Sequence, residues 1–249
     1  MKLLAINPNT NQHMTATIAV ALKDYENKDL TVDVVTNHMG VESVEGHTDE
    51  IISTVGILEI VVKNREKYDG FLIVCYSNHP AIHCCREITE KPVVGIFEAS
   101  VLLACLLGSK FSIVTTSKRW QPMLEEGVQA IGLDSRLASV RSTGLAVLEL
   151  DALTEQELAE HLKHECEIAL NSDGAEVICL GCAGMAGMSK NLSDDLKIPV
   201  IDCVTAGLKV LEILVGLGLG TSKLCKYNYV EPRQTLQISK VLELIYKIF

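Results

Sequence analysis

The sequence carries one pattern twice, and that duplication limits the possible folds more than any other feature. A short apolar run leads into Cys75, and Pro92-Val93-Val94 follows 17 residues after it. A second apolar run leads into Cys182, and Pro199-Val200-Ile201 follows at the same 17-residue distance. Ala99 and Ala206 match at the same offset of 107, while Lys2–Asn7 matches Lys110–Thr115 at 108. Both of those runs end in polar residues, Asn7-Pro8-Asn9-Thr10 and Thr115-Thr116-Ser117. A period of this length describes two copies of one supersecondary unit rather than a solenoid. The boundary falls near Gly108-Ser109.

Between these landmarks, strand-like and helix-like segments alternate. Lys2–Asn7, Thr31–Val35, Phe71–Cys75, Val93–Ile96, Phe111–Thr115, Glu176–Leu180 and Val200–Ile201 are short apolar or β-branched runs. Ile51, Val55, Leu58 and Val62 recur at helical spacing, as do Leu158, Leu162, Cys166 and Leu170. Thr154 precedes the second series with Glu157 three residues on, the pattern of a capping box. Thr235–Phe249 reads as a closing amphipathic helix. Such alternation, in a chain with almost half its residues apolar and few aromatics, predicts parallel sheets flanked by helices. The expected architecture is α/β with two pseudo-symmetric lobes and an active site in the cleft between them. Residues 1–108 form the first lobe and 109–206 the second, with 207–249 packing back on the first.

Composition removes several function classes. A net charge of −10 does not suit nucleic acid, whose phosphates need a basic face. No apolar run is long enough to span a bilayer, and the N-terminal stretch is too short for a signal peptide, so the expectation is a cytoplasmic protein. In a reducing compartment the nine cysteines stay thiols. Most read as small core residues, Cys105 and Cys166 among them. The pair Cys179/Cys182 is a CxxC without a second metal-binding pair, and His161/His164 lie on a charged helix. His83 with Cys84-Cys85 is a poor metal set, because adjacent helical cysteines face different ways. The Gly216–Gly220 stretch lacks the strand–GxGxxG–helix context and reads as a loop.

Cys75 and Cys182 differ from the rest. In an open α/β sheet, ligands bind at the carboxyl ends of the strands, where both stand. Moving a proton between the two faces of one carbon needs an acid on one side and a base on the other, and two equivalent thiols supply both. A helix N-terminus following each strand is expected to draw the thiol pKa down from about 8.5. Cys75 is followed by Tyr76-Ser77-Asn78-His79-Pro80, with Pro80 suited to a first helical turn. Cys182 is followed by Ala183-Gly184-Met185-Ala186-Gly187, whose small side chains would let an enolate oxygen or carboxylate approach main-chain N–H groups. His79 has two readings, an assistant to Cys75 or a surface imidazole.

At these residues the chain resembles the Asp/Glu/hydantoin racemase superfamily, in its hydantoin and allantoin racemase branch. The resemblance rests on Ile6-Asn7-Pro8-Asn9-Thr10, Gly40–Glu50, Val114–Ser117, Leu180-Gly181-Cys182-Ala183-Gly184-Met185 and Asp202–Ala206. It implies a cofactor-independent racemase, without PLP or metal, acting on a carbon next to a carbonyl in a cyclic ureide. Cys75 and Cys182 would be its acid/base pair. Asn7, Ser77, Asn78, Thr116, Ser117, Ala183 and Gly184 would hold the substrate's polar groups, and the chain would form a homo-oligomer. After the first Cys the bacterial members carry a Phe-Gly-Asp-Pro-Gly-like segment where this chain has Tyr76–Pro80, a region more similar to a fungal nitrogen-catabolism branch. The alternatives are a maleate isomerase or decarboxylase activity on the same scaffold, or a non-catalytic small-molecule sensor.

Overall fold

A computed structural model describes residues 1–150 and 152–231. The first half runs β1 (Lys2–Asn7), α1 (Gln12–Lys23), β2 (Thr31–Thr36), α2 (His47–Asn64), β3 (Gly70–Ile73), α3 (Pro80–Ile88), β4 (Val93–Gly95) and α4 (Ile96–Leu107). The second runs β5 (Phe111–Thr115), α5 (Trp120–Ala130), β6 (Leu137–Ser142), α6 (Val147–Leu150), α7 (Glu155–Asn171), β7 (Val177–Leu180), α8 (Ser189–Leu196), β8 (Val200–Ile201) and α9 (Cys203–Gly216). Each half builds one four-stranded sheet, in the orders β2-β1-β3-β4 and β6-β5-β7-β8. Every pairing is parallel: Leu3 to Ile6 face Gly70 to Ile73, and Phe111 to Val114 face Val177 to Leu180. The central strands are buried on both sides, as their unbroken apolar runs require.

The halves exchange their last helices. From the first half, α4 packs on β7, while α9 from the second packs on β3 and β4, and the two helices lie against each other. Small residues permit this approach. A Cβ on Gly70 would stand 2.8 Å from Leu211 Cδ1, and one on Gly207 would stand 2.8 Å from Leu72 Cδ1. Beyond α9 the chain returns along the first half, where Thr221 N–H donates to Glu90 O at 2.8 Å. The closing helix expected over Thr235–Phe249 lies outside the described residues.

Two local readings change. Strand β6 was not expected, because Leu137-Ala-Ser-Val-Arg-Ser142 is a half-buried edge strand without an apolar run. In α2 the buried face is Ser53, Ile57, Ile60 and Val61 with Glu50 and Glu59, whereas Ile51 is 64% exposed. The helix is turned from the Ile51/Val55/Leu58/Val62 stripe because Gly56 must sit against the side chain of buried Asn37. Asn37 Nδ2 in turn donates to Pro8 O and Ser53 O, both at 2.9 Å. The α7 reading holds: Leu158, Leu162 and Cys166 are buried and Thr154/Glu157 form the capping box.

Candidate active site

The two cysteines reach their places by the same backbone route. Past β3, Val74 N–H donates to Ile6 O (3.0 Å); past β7, Gly181 N–H donates to Val114 O (2.7 Å). Each bond extends the strand pairing by one residue, and the next residue is Cys75 or Cys182. Both thiols open on one cavity between the sheets, each residue 8% exposed. The cavity is small, with a volume of about 50 Å³ for the centre of a water molecule. Its polar lining comes from Asn7, Asn9, Thr116 and the two thiols, beside Ala183. Met14, Val44, Trp120 and Val147 supply apolar walls, with Val44 and Val147 on the corresponding segments that follow β2 and β6.

The remaining expected site residues occupy different places. Ser77 lies behind Cys75, its Oγ 3.7 Å from the sulfur, and with Asn78 lines a second cavity. Gly184 borders Cys182: a Cβ there would be 3.7 Å from its sulfur. Ser117 is not in the cavity wall, and its carbonyl accepts Trp120 N–H at the start of α5. Asn7 lines the cavity but holds its own loop, donating to Asn11 O (3.0 Å) and Thr15 Oγ1 (2.9 Å) and accepting Asn9 N–H (3.3 Å). Asn9 was not singled out, although it stands in the same Asn-Pro-Asn-Thr motif and lines the cavity.

The electrostatics of Cys75 correct the expectation of a lowered thiol pKa. Burial pushes this thiol up, Glu50 and Cys182 push it further, and only the hydrogen bond with Ser77 opposes them. No α-helix starts at either cysteine to reverse this. The helix α3 begins five residues after Cys75, and Cys182 caps only the short 3-10 turn Ala183–Met185. The chain just past that turn is held by Asp202, whose Oδ2 accepts Gly187 N–H (2.7 Å). Its Oδ1 accepts Val204 N–H (2.9 Å) and Thr205 N–H (3.0 Å) to cap α9. Glu50, which sequence reasoning did not single out, is 4% exposed and accepts Ser77 Oγ–H at 2.5 Å. Its sequence position in an apolar helix gave no signal beyond a carboxylate on the wrong face.

His79 is neither assistant nor surface group. It is fully buried; its Nδ1 accepts Ala81 N–H (3.1 Å) as the cap of α3, with Pro80 in the first turn. Its Nε2 therefore carries the proton and donates to Ser53 Oγ at 3.1 Å. Burial holds its pKa down to about 3, against 6.5 when exposed. The unfolded chain thus binds the extra proton between those values, so this contribution is complete above pH 6.5 and is lost as pH falls towards 3. His79→Asn keeps a capping side chain and removes the titration. Urea unfolding of the wild type should lose about 2 kcal/mol more than this variant between pH 7 and pH 5. Equal losses in the two proteins would contradict the assignment.

No other cysteine lines the cavity of Cys75 and Cys182. Cys85 is buried, Cys84 half-buried, and His83 Nδ1 pairs with Tyr227 Oη at 2.9 Å. Cys179 is buried with its Sγ 3.7 Å from Ser100 O. Among the described residues no group of three His, Cys, Asp or Glu is placed to hold a metal ion, and no helix is long and apolar enough to cross a membrane.

Two pseudo-symmetric parallel-sheet lobes, each sending one thiol into a shared cleft, define a distinct class of α/β protein. The family described as Asp/Glu/Hydantoin racemase matches residues 3–211. Hydantoin racemase of Pseudomonas sp. (strain NS671) is 42% identical over 235 residues, covering 94% of each chain. The structure of allantoin racemase from Klebsiella pneumoniae superposes with a TM-score of 0.90 at 34% identity, covering 98% of both chains. Arylmalonate decarboxylase shares the fold alone, with a TM-score of 0.64 and 18% identity over 88% of this chain and 94% of its own. The chain belongs to the Asp/Glu/hydantoin racemase family and is an isomerase of the racemase type.

Proposed function

We propose that this racemase inverts a carbon acid next to a carbonyl in a cyclic ureide, of the hydantoin or allantoin class, with Cys75 and Cys182 as the acid/base pair. The observation that carries the reading is the emergence of both sulfurs from equivalent strand ends into one small cavity. In each direction one sulfur takes the proton as a thiolate, and the other, as a thiol, delivers its proton to the opposite face. The ring carbon is acidified by the adjacent carbonyl, whose oxygen gains charge as the proton leaves. Thr116 and the main chain at Ala183 border the cavity where that oxygen is to be held. Met14, Val44, Trp120 and Val147 exclude water around the carbanion and favour a compact, planar ring. The substrate class is also the one in the names of the relatives, hydantoin and allantoin.

The test is polarimetry on single enantiomers of allantoin and of several 5-substituted hydantoins, with no PLP and with a chelator present. Rotation should decay to zero with at least one of them, at a rate proportional to enzyme. Unchanged rotation across the whole panel would sink the substrate assignment.

A further inference from the structure

The Cys75 thiol is linked through Ser77 and Glu50 to a second cavity. Ser77 Oγ lies 3.7 Å from Cys75 Sγ and 2.5 Å from Glu50 Oε1. Glu50 Oε2 lies 3.1 Å from His47 Nδ1. Glu50 is 4% exposed, whereas the His47 side chain is 70% exposed. His47, Glu50, Ser77 and Glu126 border a cavity separate from the one that contains the sulfurs. At the repeat offset of 107, the position of Ser77 is taken by Gly184, which has no hydroxyl to offer. A Cβ there would meet Leu150 Cδ1 at 3.0 Å and Met14 Cε at 3.4 Å. A buried carboxylate is unfavourable unless its oxygens are bonded, and here the bonds run from the thiol side to solvent.

Two-thiol inversion creates a need for such a chain. Each inversion loads a proton onto one sulfur and takes one from the other, so the free enzyme emerges with its protonation reversed. It cannot invert a second molecule of the same enantiomer until the proton has been redistributed. We propose that Ser77 and Glu50 form a proton route from Cys75 to solvent that resets the enzyme between turnovers, an inference resting on the two-thiol reading above. The Cys75 S–H gives its proton to Ser77 Oγ while Ser77 O–H passes its own to Glu50 Oε1, leaving a thiolate and a neutral carboxyl. A half-turn about the terminal Glu50 torsion, which is soft and two-fold, brings that proton to His47 Nδ1 or to water. The reverse sequence reprotonates Cys75. Cys182 exchanges through the mouth of the cleft once product has left.

Glu50 and Ser77 therefore act through Cys75, and Glu50→Gln tests the route. The probe is whichever of allantoin and 5-benzylhydantoin the wild type turns over. A carbon-13-labelled racemate is equilibrated with enzyme, and a large excess of one unlabelled enantiomer is then added. With fast reset the label stays evenly divided, which is the wild-type expectation. With slow reset the unlabelled flux traps one protonation form and drives the label transiently away from equality. Glu50→Gln should show that excursion, with kcat lowered about tenfold or more and kcat/KM within about threefold of wild type. Ser77→Ala should show the same signature and Ser77→Thr should reverse it, which decides the matter if Glu50→Gln does not fold. Parallel losses of kcat and kcat/KM with the label evenly divided, or wild-type kinetics, would overturn the route. Racemisation surviving in Cys75→Ala would instead overturn the two-thiol reading itself.

Discussion

Alanine at either Cys75 or Cys182 is expected to remove racemisation, by about 10³-fold or more, while the protein remains folded. The size follows from the chemistry: a positioned acid or base is worth about 10² to 10⁴ in rate, and inversion has no path without both partners. Stability should change little, since each cysteine lines a cavity and its truncation enlarges space already present. The sharper expectation concerns the hydrogen on the stereogenic carbon. With one thiol left, the enantiomer that turns its hydrogen towards it can still be deprotonated and reprotonated on the same face. Cys75→Ala and Cys182→Ala should therefore exchange the hydrogens of opposite enantiomers in heavy water, each without inversion, as read by NMR on enantiopure substrate. Racemisation at near wild-type rate in either variant would contradict the mechanism, as would exchange of the same enantiomer by both.

Gly181→Ala carries the second large effect, in both stability and rate. A Cβ at Gly181 would lie 2.9 Å from Thr115 Cβ, 3.0 Å from Ile113 Cγ2 and 3.0 Å from Val114 O. None of these is the free end of a flexible side chain. Val114 O already accepts Gly181 N–H at 2.7 Å, and Thr115 Oγ1 donates to Gly181 O at 3.0 Å, so the strand cannot move aside without losing ladder bonds. Overpacking of this kind costs about 1–3 kcal/mol, which for a chain of this size lowers Tm by roughly 2–4 °C per kcal/mol. Relief by displacement shifts the next residue, Cys182, and a misplacement of about 1 Å costs on the order of 10² in rate. Thermal melting together with kcat/KM checks both parts. A variant with wild-type Tm and activity would show that the close contact does not constrain the thiol.

The sequence revealed most clearly those features that depend on repetition. Parallel strands buried on both faces, such as Phe71–Ile73 and Val177–Leu180, leave unbroken apolar runs, and their common spacing to Pro92 and Pro199 exposed the two equivalent cysteines. Edge strand β6 left no such run, because one side of it faces away from the core and Arg141 there pairs with Asp173. The face of α2 was hidden for a different reason. Beside Ile57, Ile60 and Val61, its buried positions hold Glu50, Ser53 and Gly56, set by contacts with Asn37, Ser77 and His79 that lie far off in sequence. Periodicity assumes that the inward face is wholly apolar, and here polar partners supplied by other elements make part of it polar. The same long-range contacts explain why His79 suggested chemistry. An imidazole four residues after a thiol says nothing about Ser53, which takes one of its nitrogens, or about Ala81, which takes the other.

The most direct test of two thiols working on opposite faces is the fate of hydrogen in wild-type turnover. One enantiomer of the best ureide is incubated in heavy water and stopped at a few per cent conversion. Product and remaining substrate are then separated on a chiral column, and the deuterium in each is measured. Separate acid and base predict close to one deuterium per product molecule, with the remaining substrate carrying far less. Equal labelling of both pools, or product that keeps the original hydrogen, would mean that a single group serves both faces, and the pairing of Cys75 with Cys182 would fall.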